Sequence, residues 1–353
     1  MGIQSGTPGI TPNRTVVGFA GQEWWVVGYN GPPGVYTTRG DTDSVTLLLK
    51  SAGTPYGTAA FRAGGDAGPG GGMKRYPADA DQWYELDFTY PSDYSDSTLQ
   101  RKMTAIAENA DLFPARELAL INERALTPST AAAENDETGG APVPGQKLWP
   151  LSQAEWTDID NDEVRCFGSF FWMRSPYVDT NAIFGYPTGG QLFFRPVLSV
   201  FAVRPAFNLD ISSVLFTSAA GGKDSAALGR LYAVDELSGP VKFTVETADT
   251  SFLSLICADT AERVVSTGGT VRIEYSGAKT AANKFVSCVI EKAGDGVLFY
   301  GRLAGTAGGT VSFAVPAGLP NGAYVIRLFN EECNGGMETD FACPPVSIPL
   351  LKK

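Results

Sequence analysis

Glycine and proline recur so often in this chain that long helices are excluded over most of its length. The sequence contains 41 Gly and 23 Pro in 353 residues, and both residue types interrupt helices and mark turns. Hydrophobic residues make up 43% of the chain and charged residues 18%, which is enough apolar material for buried cores. The length suits two domains. The sequence therefore predicts a β-rich chain with long loops.

The charge balance and the lack of histidine exclude several functional classes. Lys and Arg number 27 against 38 Asp and Glu, a net charge of −11, which argues against nucleic-acid and anionic-membrane partners. No stretch has the length of an apolar membrane span, so no membrane insertion is expected. Without any histidine, Ser-His-Asp and Cys-His catalysis and His-based zinc sites are removed. No cofactor and no metal are expected.

Cysteines and acidic residues raise two further questions. The Asp158, Asp160 and Asp162 series alternates as calcium ligands do, but it lacks the later bidentate Glu, so a solvated acidic turn is preferred.

None of the cysteines forms a CxxC pair, and an odd count leaves at least one thiol unpaired. One or two disulfides and buried free thiols remain equally open for these residues: Cys166, Cys257, Cys288, Cys333 and Cys343.

Local patterns predict several elements in the first half. Val45–Leu49 is apolar enough for a strand buried on both faces. A capping box at Ser97–Gln100 predicts a helix with Leu99, Met103 and Ile106 on one face. Pro114 suits the first position of a second helix, and Ser152–Glu155 is another capping box.

The second half has a different pattern. Its apolar and polar residues alternate with period two in short runs separated by Gly, Asn and Asp, which is typical of strands with one buried face. The runs are Val241–Val245, Val271–Tyr275, Val311–Val315 and Val346–Leu350. They predict an all-β immunoglobulin-like sandwich. The expected domains are a flexible lead-in at 1–14, a first domain at 15–220 and a second domain at 221–353.

An irregular aromatic stretch lies between two similar brackets, Phe171–Pro176 and Ala202–Phe207. Each bracket combines a bulky apolar residue, an arginine and a proline, which is consistent with two strands whose arginines pair with nearby acids. The intervening Tyr177–Phe201 is rich in aromatic residues and broken by Gly and Pro. Aromatic loops on rigid strands are typical of recognition surfaces, because rings bury a large area at low entropic cost. Leu192, Leu198 and Val200 are the members expected in the core.

An ordered set of motifs resembles a known domain family. The set comprises Trp24–Gly28, Leu47–Lys50, Leu148–Ser152, Trp172–Pro176 and Val203–Phe207. It is similar to a family of surface and phage proteins of gut bacteria with the C-type-lectin fold of formylglycine-generating-enzyme-like domains, which includes variable proteins of diversity-generating retroelements. Glu274–Ala278 and Leu328–Glu331 resemble the immunoglobulin-like module that often follows.

The resemblance implies a fold, a site and a function. The fold would be an α+β C-type-lectin-like domain followed by an all-β immunoglobulin-like sandwich. Trp172, Arg174, Pro176, Arg204 and Pro205 would be structural anchors. Between them, retroelement-directed diversification would make these residues ligand-contacting: Tyr177, Thr180, Asn181, Ile183, Phe184, Tyr186, Thr188, Gln191, Phe193, Phe194, Arg195, Val197, Ser199 and Phe201. Such variable proteins commonly end with this region, whereas this chain continues beyond it.

The expected function is non-enzymatic binding of a protein or glycan receptor, for phage host recognition or cell-surface adhesion. The chain is expected outside the cell, on a virion or bacterial surface, although its first residues lack the features of a signal peptide. A homo-oligomer is left open. The alternatives are a structural virion or surface subunit and, less favoured, a relative of formylglycine-generating oxidases, since Cys166 is the one cysteine of the first domain. Solvent exposure of Phe184, Tyr186 and Phe194 would favour the binding function.

Overall fold

The structure is a computed structural model that describes residues 3–5, 10–29, 44–53, 55–62, 93–126, 142–177, 181–188, 190–221, 227–234, 237–293 and 296–353. Strands hold 46% of the chain and helices 8%. The β-rich composition predicted from Gly and Pro is thus present. The predicted class, an α+β C-type-lectin-like domain followed by an immunoglobulin-like sandwich, is wrong, because large multi-stranded sheets leave too little helix for such a lectin-like domain.

The strands are short, as frequent Gly and Pro residues require. In chain order they are β1 Ile3–Ser5, β2 Val16–Phe19, β3 Gln22–Tyr29, β4 Ser44–Leu49, β5 Thr58–Ala60, β6 Ile121–Asn122, β7 Arg124–Leu126, β8 Val143–Gln146, β9 Phe171–Pro176, β10 Asn181–Gly185, β11 Leu192–Pro196, β12 Val200–Ala202, β13 Ala206–Asp210, β14 Val214–Ala219, β15 Tyr232–Ala233, β16 Val241–Glu246, β17 Arg263–Val265, β18 Thr270–Tyr275, β19 Lys284–Lys292, β20 Gly296–Ala304, β21 Gly309–Ala314, β22 Gly322–Glu332, β23 Asp340–Ala342 and β24 Val346–Lys352.

Within the described ranges there are four helices: α1 Thr98–Ala107, α2 Ala115–Leu118, α3 Gln153–Thr157 and α4 Asp162–Arg165. The Ser97 side chain caps α1 by accepting from the backbone N–H of Gln100, and α1 buries the predicted apolar face. The Gln100 side chain instead reaches Thr104 and Gln146. At α3 both hydrogen bonds of the predicted capping box are present.

The second predicted helix differs from its expected form. Pro114 is the N-cap of α2 rather than its first residue. Ile121 lies in β6, after the helix has ended. Helix α2 is only four residues long and ends at Leu118, so it does not reach Ile121.

The chain divides into two compact units, each of which is discontinuous in sequence. One unit consists of Pro12–Arg14 and Trp24–Asp210, and the other of Met1–Thr11, Thr15–Glu23 and Ile211–Lys353. We call them the hairpin unit and the sheet unit. The sheet unit includes β2 and β14, which lie within the predicted first domain at 15–220. The expected lead-in at 1–14 contains β1, which pairs with β14.

The hairpin unit contains three sets of paired strands. One has the order β3-β4-β13-β6, the second has the order β11-β10-β9-β12-β5, and the third is β7-β8. All residues of β4 are buried, which confirms the prediction of a strand covered on both faces. Trp24, Tyr56, Phe113 and Phe207 form an aromatic core with ring centroids 4.7 to 6.3 Å apart.

The sheet unit is built around strands in the order β15-β20-β19-β22-β23-β16-β2, to which β14 and β1 add beside β16, and β24 and β17 beside β22. The separate β18-β21 pair contributes Val271, Ile273 and Phe313 to a core shared with Ile326 and Leu328 of β22. All four alternating runs predicted in the second half coincide with strands. Their buried positions repeat every two residues in β18, as the pattern requires.

The five cysteines are free thiols, which decides between the two alternatives left open by the sequence. Cys288, Cys333 and Cys343 are buried, and burial raises the pKa of the Cys343 thiol to about 11. The Cys343 thiol is therefore protonated at neutral pH, and the three buried cysteines pack as small apolar residues. In the part of the chain that the structure describes, no helix combines the length and apolar composition needed to cross a membrane.

Candidate functional site

The stretch expected to be irregular forms a β-hairpin instead. Strand β10 pairs antiparallel with β11 over five residues, with Ile183 opposite Phe194 and Phe184 opposite Phe193. Strand β10 also pairs with β9, whereas β11 ends the sheet and pairs with β10 alone among the described strands. The expectation of a loop is wrong, because Gly185 and Pro196 occupy tolerated strand positions and Pro187 and Gly190 lie in the connection between β10 and β11.

Gly185 shows why glycine is compatible with this strand. It lies opposite Phe171 of β9, and a Cβ placed at position 185 would lie 2.1 Å from Phe171 Cζ. The Phe171 ring therefore covers the space above the glycine backbone. Pro196 is tolerated because it terminates an edge strand, where its missing N–H breaks no ladder. At the hairpin end, the Trp156 indole N–H donates to the Gly190 carbonyl at 3.1 Å.

The first bracket is held by a buried charge network. Arg174, which has no solvent exposure, lies 2.5 Å from a Glu155 carboxylate oxygen. The other oxygen of Glu155 lies 2.7 Å from Arg124. Arg174 also donates to the Pro150 carbonyl at 2.9 Å. Burial alone would raise the pKa of Glu155, but the two guanidinium groups outweigh it and hold that pKa below its ordinary value.

Among the described residues, no carboxylate pairs with the arginine of the second bracket. The Arg204 guanidinium donates to the carbonyls of Leu49 at 2.9 Å and Val164 at 2.6 Å. Its charge lies over the rings of Phe167 and Phe171, with centroids 4.7 and 5.0 Å away. Burial lowers the pKa of Arg204 to about 9, so it is charged at neutral pH. The predicted pairing with an acid is correct for Arg174 and wrong for Arg204.

The other anchor residues are also fixed in the structure. Trp172 is buried and its indole N–H donates to the Ala59 carbonyl at 3.1 Å. Pro205 is buried and its carbonyl accepts from the Leu49 N–H at 3.0 Å. Pro176 is half-buried at the end of β9. The hairpin thus extends from a frame in which Trp172, Arg174 and Arg204 are buried and hydrogen-bonded.

A cluster of six rings occupies one face of this sheet. Phe184 is its centre, with ring centroids 4.8 Å from Phe201 and 6.2 Å from Phe193. Phe170 and Tyr186 meet edge-to-face at 4.9 Å, an arrangement favoured by the ring quadrupoles. The six rings, which we call the ring cluster, are Phe170, Trp172, Phe184, Tyr186, Phe193 and Phe201.

The ring cluster is solvated at its outer side. Trp172 and Phe184 are 1% and 3% exposed, whereas Phe170, Tyr186 and Phe193 are 37%, 39% and 47% exposed. The buried rings therefore support the exposed ones. Successive residues of a strand face opposite sides, so Phe194 projects from the other face of β11. Its ring stacks on Tyr177 with centroids 4.2 Å apart and 10° between planes.

The predicted contact residues divide into three groups. Seven are exposed: Tyr177, Tyr186, Thr188, Gln191, Phe193, Phe194 and Arg195. Three are half-buried: Asn181, Ser199 and Phe201. Three are buried: Ile183, Phe184 and Val197. Thr180 lies outside the described residues. Solvent exposure of Phe184, Tyr186 and Phe194 was expected to favour the binding function. Tyr186 and Phe194 are exposed, and Phe184 is buried.

Sequence reasoning also misplaced or missed some surface residues. Leu198 and Val200, expected in the core, are 37% and 61% exposed, and Leu192 is half-buried. Phe170 lies just before the first bracket and was not selected. The Phe170-Phe171 pair could have indicated that Phe170 is exposed. Adjacent residues at the start of a strand face opposite sides of the sheet, so only one of the two rings packs on the core.

Exposed apolar side chains concentrate at this sheet. Among the described residues, the large hydrophobic side chains that are exposed are Phe170, Tyr177, Tyr186, Phe193, Phe194, Leu198, Val200, Leu228, Ile256 and Val264. The first seven of these lie between positions 170 and 200. We call this set the aromatic surface. Comparison with protein-family models, curated proteins and solved structures gave no match.

Proposed function

We propose that this chain is a non-enzymatic binding protein and that the aromatic surface is its contact site. The observation that carries this proposal is the concentration of exposed apolar side chains in Phe170–Val200. A concentration of exposed apolar side chains in one region of a protein usually marks an interaction site. The frame of Arg174 and Arg204 supports this assignment, because rigid scaffolds present contact residues at low entropic cost.

The composition of the aromatic surface favours contact over catalysis. Among the exposed described residues between positions 170 and 200, the titratable side chains are Tyr177, Tyr186 and Arg195. Their neighbours are rings, amides and hydroxyl groups, including Gln191 and Thr188. Aromatic and arginine side chains are the types that dominate binding energy at interfaces. We expect the rings to bury most of the contact area and Arg195 to provide one charged hydrogen bond.

The partner class follows from the same chemistry together with the family resemblance. Exposed rings flanked by amide and hydroxyl groups suit a protein or glycan receptor on a target surface. The chain's net charge of −11 disfavours a polyanion. We place the protein on a phage virion or bacterial surface, which rests on the resemblance alone. Diversification of the surface by a retroelement likewise stays a prediction.

A structural subunit is the second candidate, and the edge position of β11 favours it. Among described strands, β11 pairs only with β10. An apolar edge strand is a template for pairing with another chain, so a neighbouring subunit could cover it. A particle subunit of this kind would form oligomers through β11, whereas a receptor-binding protein keeps β11 accessible in its assembled state.

The proposal is tested by the triple variant Tyr186→Ser/Phe193→Ser/Phe194→Ser. Fluorescently labelled protein is incubated with a panel of whole gut-bacterial cells, and bound protein is measured by flow cytometry. We expect the parent chain to label a subset of the strains. The triple variant should lose about tenfold or more in affinity for those strains, because loss of central aromatic anchors has effects of this size.

The matched control is Leu228→Ser/Ile256→Ser/Val264→Ser. These side chains of the sheet unit are 54%, 61% and 51% exposed, so the same amount of exposed apolar surface is removed elsewhere. We expect this control to bind as the parent does. Equal loss in both variants, or no cell labelling by the parent chain, would refute the proposal. Size-exclusion chromatography distinguishes the second candidate, since a β11-mediated oligomer would dissociate only in the first variant.

A further inference from the structure

The outer edge of β11 presents backbone hydrogen-bonding groups as well as rings. The Tyr186 N–H donates to the Gln191 carbonyl at 2.9 Å, in the same register as the ladder between β10 and β11. Directly opposite residues of an antiparallel pair alternate between hydrogen-bonded and non-hydrogen-bonded pairs. Phe193 therefore bonds to β10, whereas the N–H and C=O groups of Leu192 and Phe194 point away from β10.

The open part of this edge is short. At one end, the Gly190 carbonyl accepts the Trp156 indole N–H at 3.1 Å. At the other end, the Pro196 carbonyl accepts the Ser199 N–H at 2.8 Å, and proline has no N–H to donate. Among the described strands, none pairs with the two outward-facing residues between these ends. Those residues offer a donor and an acceptor each, spaced about 7 Å apart along the strand.

Rings and one cation surround these backbone groups. Phe193 and Phe194, which are 47% and 50% exposed, project from opposite faces of β11. Arg195 is exposed beside them. The described residues between positions 170 and 200 include no Asp or Glu, so the charge at this edge is positive. A carboxylate of a partner would therefore be attracted to it.

A peptide backbone matches the edge of β11. An extended segment beside β11 repeats its N–H and C=O groups with the same spacing, so it can bond to all the outward-facing groups. Addition of a strand to a sheet edge is a recurrent mode of peptide recognition. Main-chain hydrogen bonds then provide affinity, and side-chain contacts provide specificity.

A second copy of this chain fits the same edge less well. Gln191–Pro196 contains no carboxylate, so pairing of two β11 strands would not place an opposite charge beside Arg195. Charged residues and proline on an edge strand are also features that prevent pairing between copies of a chain. A different chain that carries an acidic residue is therefore favoured over self-association.

We propose that β11 receives an extended peptide segment of the receptor as an added antiparallel strand. The backbone of the segment bonds to the outward groups of Leu192 and Phe194. The segment carries apolar residues opposite Phe193 and Phe194 and a carboxylate opposite Arg195. This strand addition rests on the proposed binding function of the aromatic surface, and it selects a protein receptor over a glycan.

A synthetic peptide tests the added strand. The probe is fluorescein-labelled Ser-Glu-Val-Phe-Val-Thr-Ser, whose Glu is placed opposite Arg195 and whose two valines pair with Phe194 and Leu192. Binding to the full chain is measured by fluorescence polarisation, and we expect a Kd below about 1 mM. Methylation of both valine nitrogens should abolish binding, because their N–H groups face β11.

The matched control peptide is methylated at the Phe and Thr nitrogens, which face away from β11. It should bind as the unmodified peptide does, since it keeps the donors that face the edge. Absence of saturable binding by the unmodified peptide would overturn the strand addition. Equal binding of the two methylated peptides would overturn it as well.

The acidic contact is tested by a double-mutant cycle. Replacement of Glu by Gln in the peptide should weaken binding to the parent chain about 2- to 5-fold and leave binding to Arg195→Gln unchanged. Arg272→Gln removes an exposed arginine of β18 and should behave as the parent does with both peptides. Equal weakening for the parent chain and Arg195→Gln would overturn the carboxylate contact.

Two further measurements separate the strand addition from its alternatives. A saturating concentration of the peptide should reduce labelling of the cells that the parent chain labels, and unchanged labelling would overturn the proposal. Loss of labelling in the triple serine variant without any peptide binding would refute the strand addition and leave the receptor-binding function standing. A parent-chain dimer that the peptide dissociates, seen by analytical ultracentrifugation, would assign the edge to a second copy and overturn the proposal.

Discussion

Strands β11 and β18 have similar lengths but opposite relations to solvent. In β18, Val271, Ile273 and Tyr275 are buried while the alternate residues are exposed. In β11, four of the five residues are exposed and the fifth is half-buried. Strand β18 exposes Thr270, Arg272 and Glu274, as expected for a strand that faces water on one side. Strand β11 exposes Phe193 and Phe194 on its two faces.

The difference separates residues that stabilise the fold from residues that do not. Burial of an aliphatic or aromatic side chain contributes about 1.5–3 kcal/mol to folding, and β18 obtains this contribution at every second position. Phe193 and Phe194 remain about half exposed, so much of the corresponding free energy is not used in folding. It remains for a partner that covers these rings. The composition of β11 is thus not explained by stability alone and is consistent with the proposed binding role.

Alanine substitution on the two strands gives the largest expected difference. Ile273→Ala in β18 should lower the free energy of unfolding by about 2–5 kcal/mol, since it leaves a cavity in a packed core. Phe194→Ala in β11 should lower it by about 1 kcal/mol or less, because the Phe194 ring is half exposed and stacks on Tyr177 at the surface. Urea unfolding followed by far-UV circular dichroism measures both. A large loss for Phe194→Ala would mean that β11 is structural.

Two arginines allow a second comparison between the regions. Arg174→Met should destabilise the chain by about 3 kcal/mol, because it removes one of two cations from the buried Glu155 carboxylate. Arg272→Met on the exposed side of β18 should change stability by about 0.5 kcal/mol or less. Thermal unfolding monitored by calorimetry gives both values. Equal losses of stability would show that Arg174 contributes no more to the fold than an arginine on a solvated strand.

The elements that sequence predicted correctly depend on neighbours close along the chain. The α3 capping box involves Ser152 and Glu155, three residues apart. The alternation of β18 is also local. The hairpin was not predicted because its glycine and proline residues act as breakers in isolation. The place of Gly185 in a strand depends on Phe171, which reaches Gly185 only after β9 and β10 have paired, and Pro196 is tolerated because β11 is an edge strand.

The same reason explains the mixed result for the candidate site. Aromatic content was sufficient to identify the stretch, and the exposed residues Tyr177, Tyr186 and Phe194 were among those selected. Phe184 has the same composition cue, yet rings from three other strands cover it. Val200 was assigned to the core because it is aliphatic, but β12 leaves it exposed. Burial within this stretch is decided by strand pairing, which a single sequence does not specify.

The pH dependence of stability gives the smallest and most specific difference between the regions. The pKa of Glu155 is held below its ordinary value in the folded chain. A carboxyl group with a depressed folded pKa stabilises the fold above its unfolded pKa, and this contribution is lost as the pH falls through the folded pKa. The hairpin frame should therefore lose stability below about pH 4.3, the ordinary range of Glu.

The test compares the parent chain with Glu155→Gln and with Glu274→Gln, the latter on the exposed side of β18. Unfolding free energies are measured from pH 7 down to the acid transition. Glu155→Gln should start less stable, because Arg174 and Arg124 lose their anion, and should then show a shallower decline than the parent. Glu274→Gln should follow the parent curve, since an exposed carboxylate has little differential interaction to lose. Parallel curves for all three proteins would mean that Glu155 does not hold the hairpin frame through its charge. In that case the rigidity of the aromatic surface would rest on packing alone.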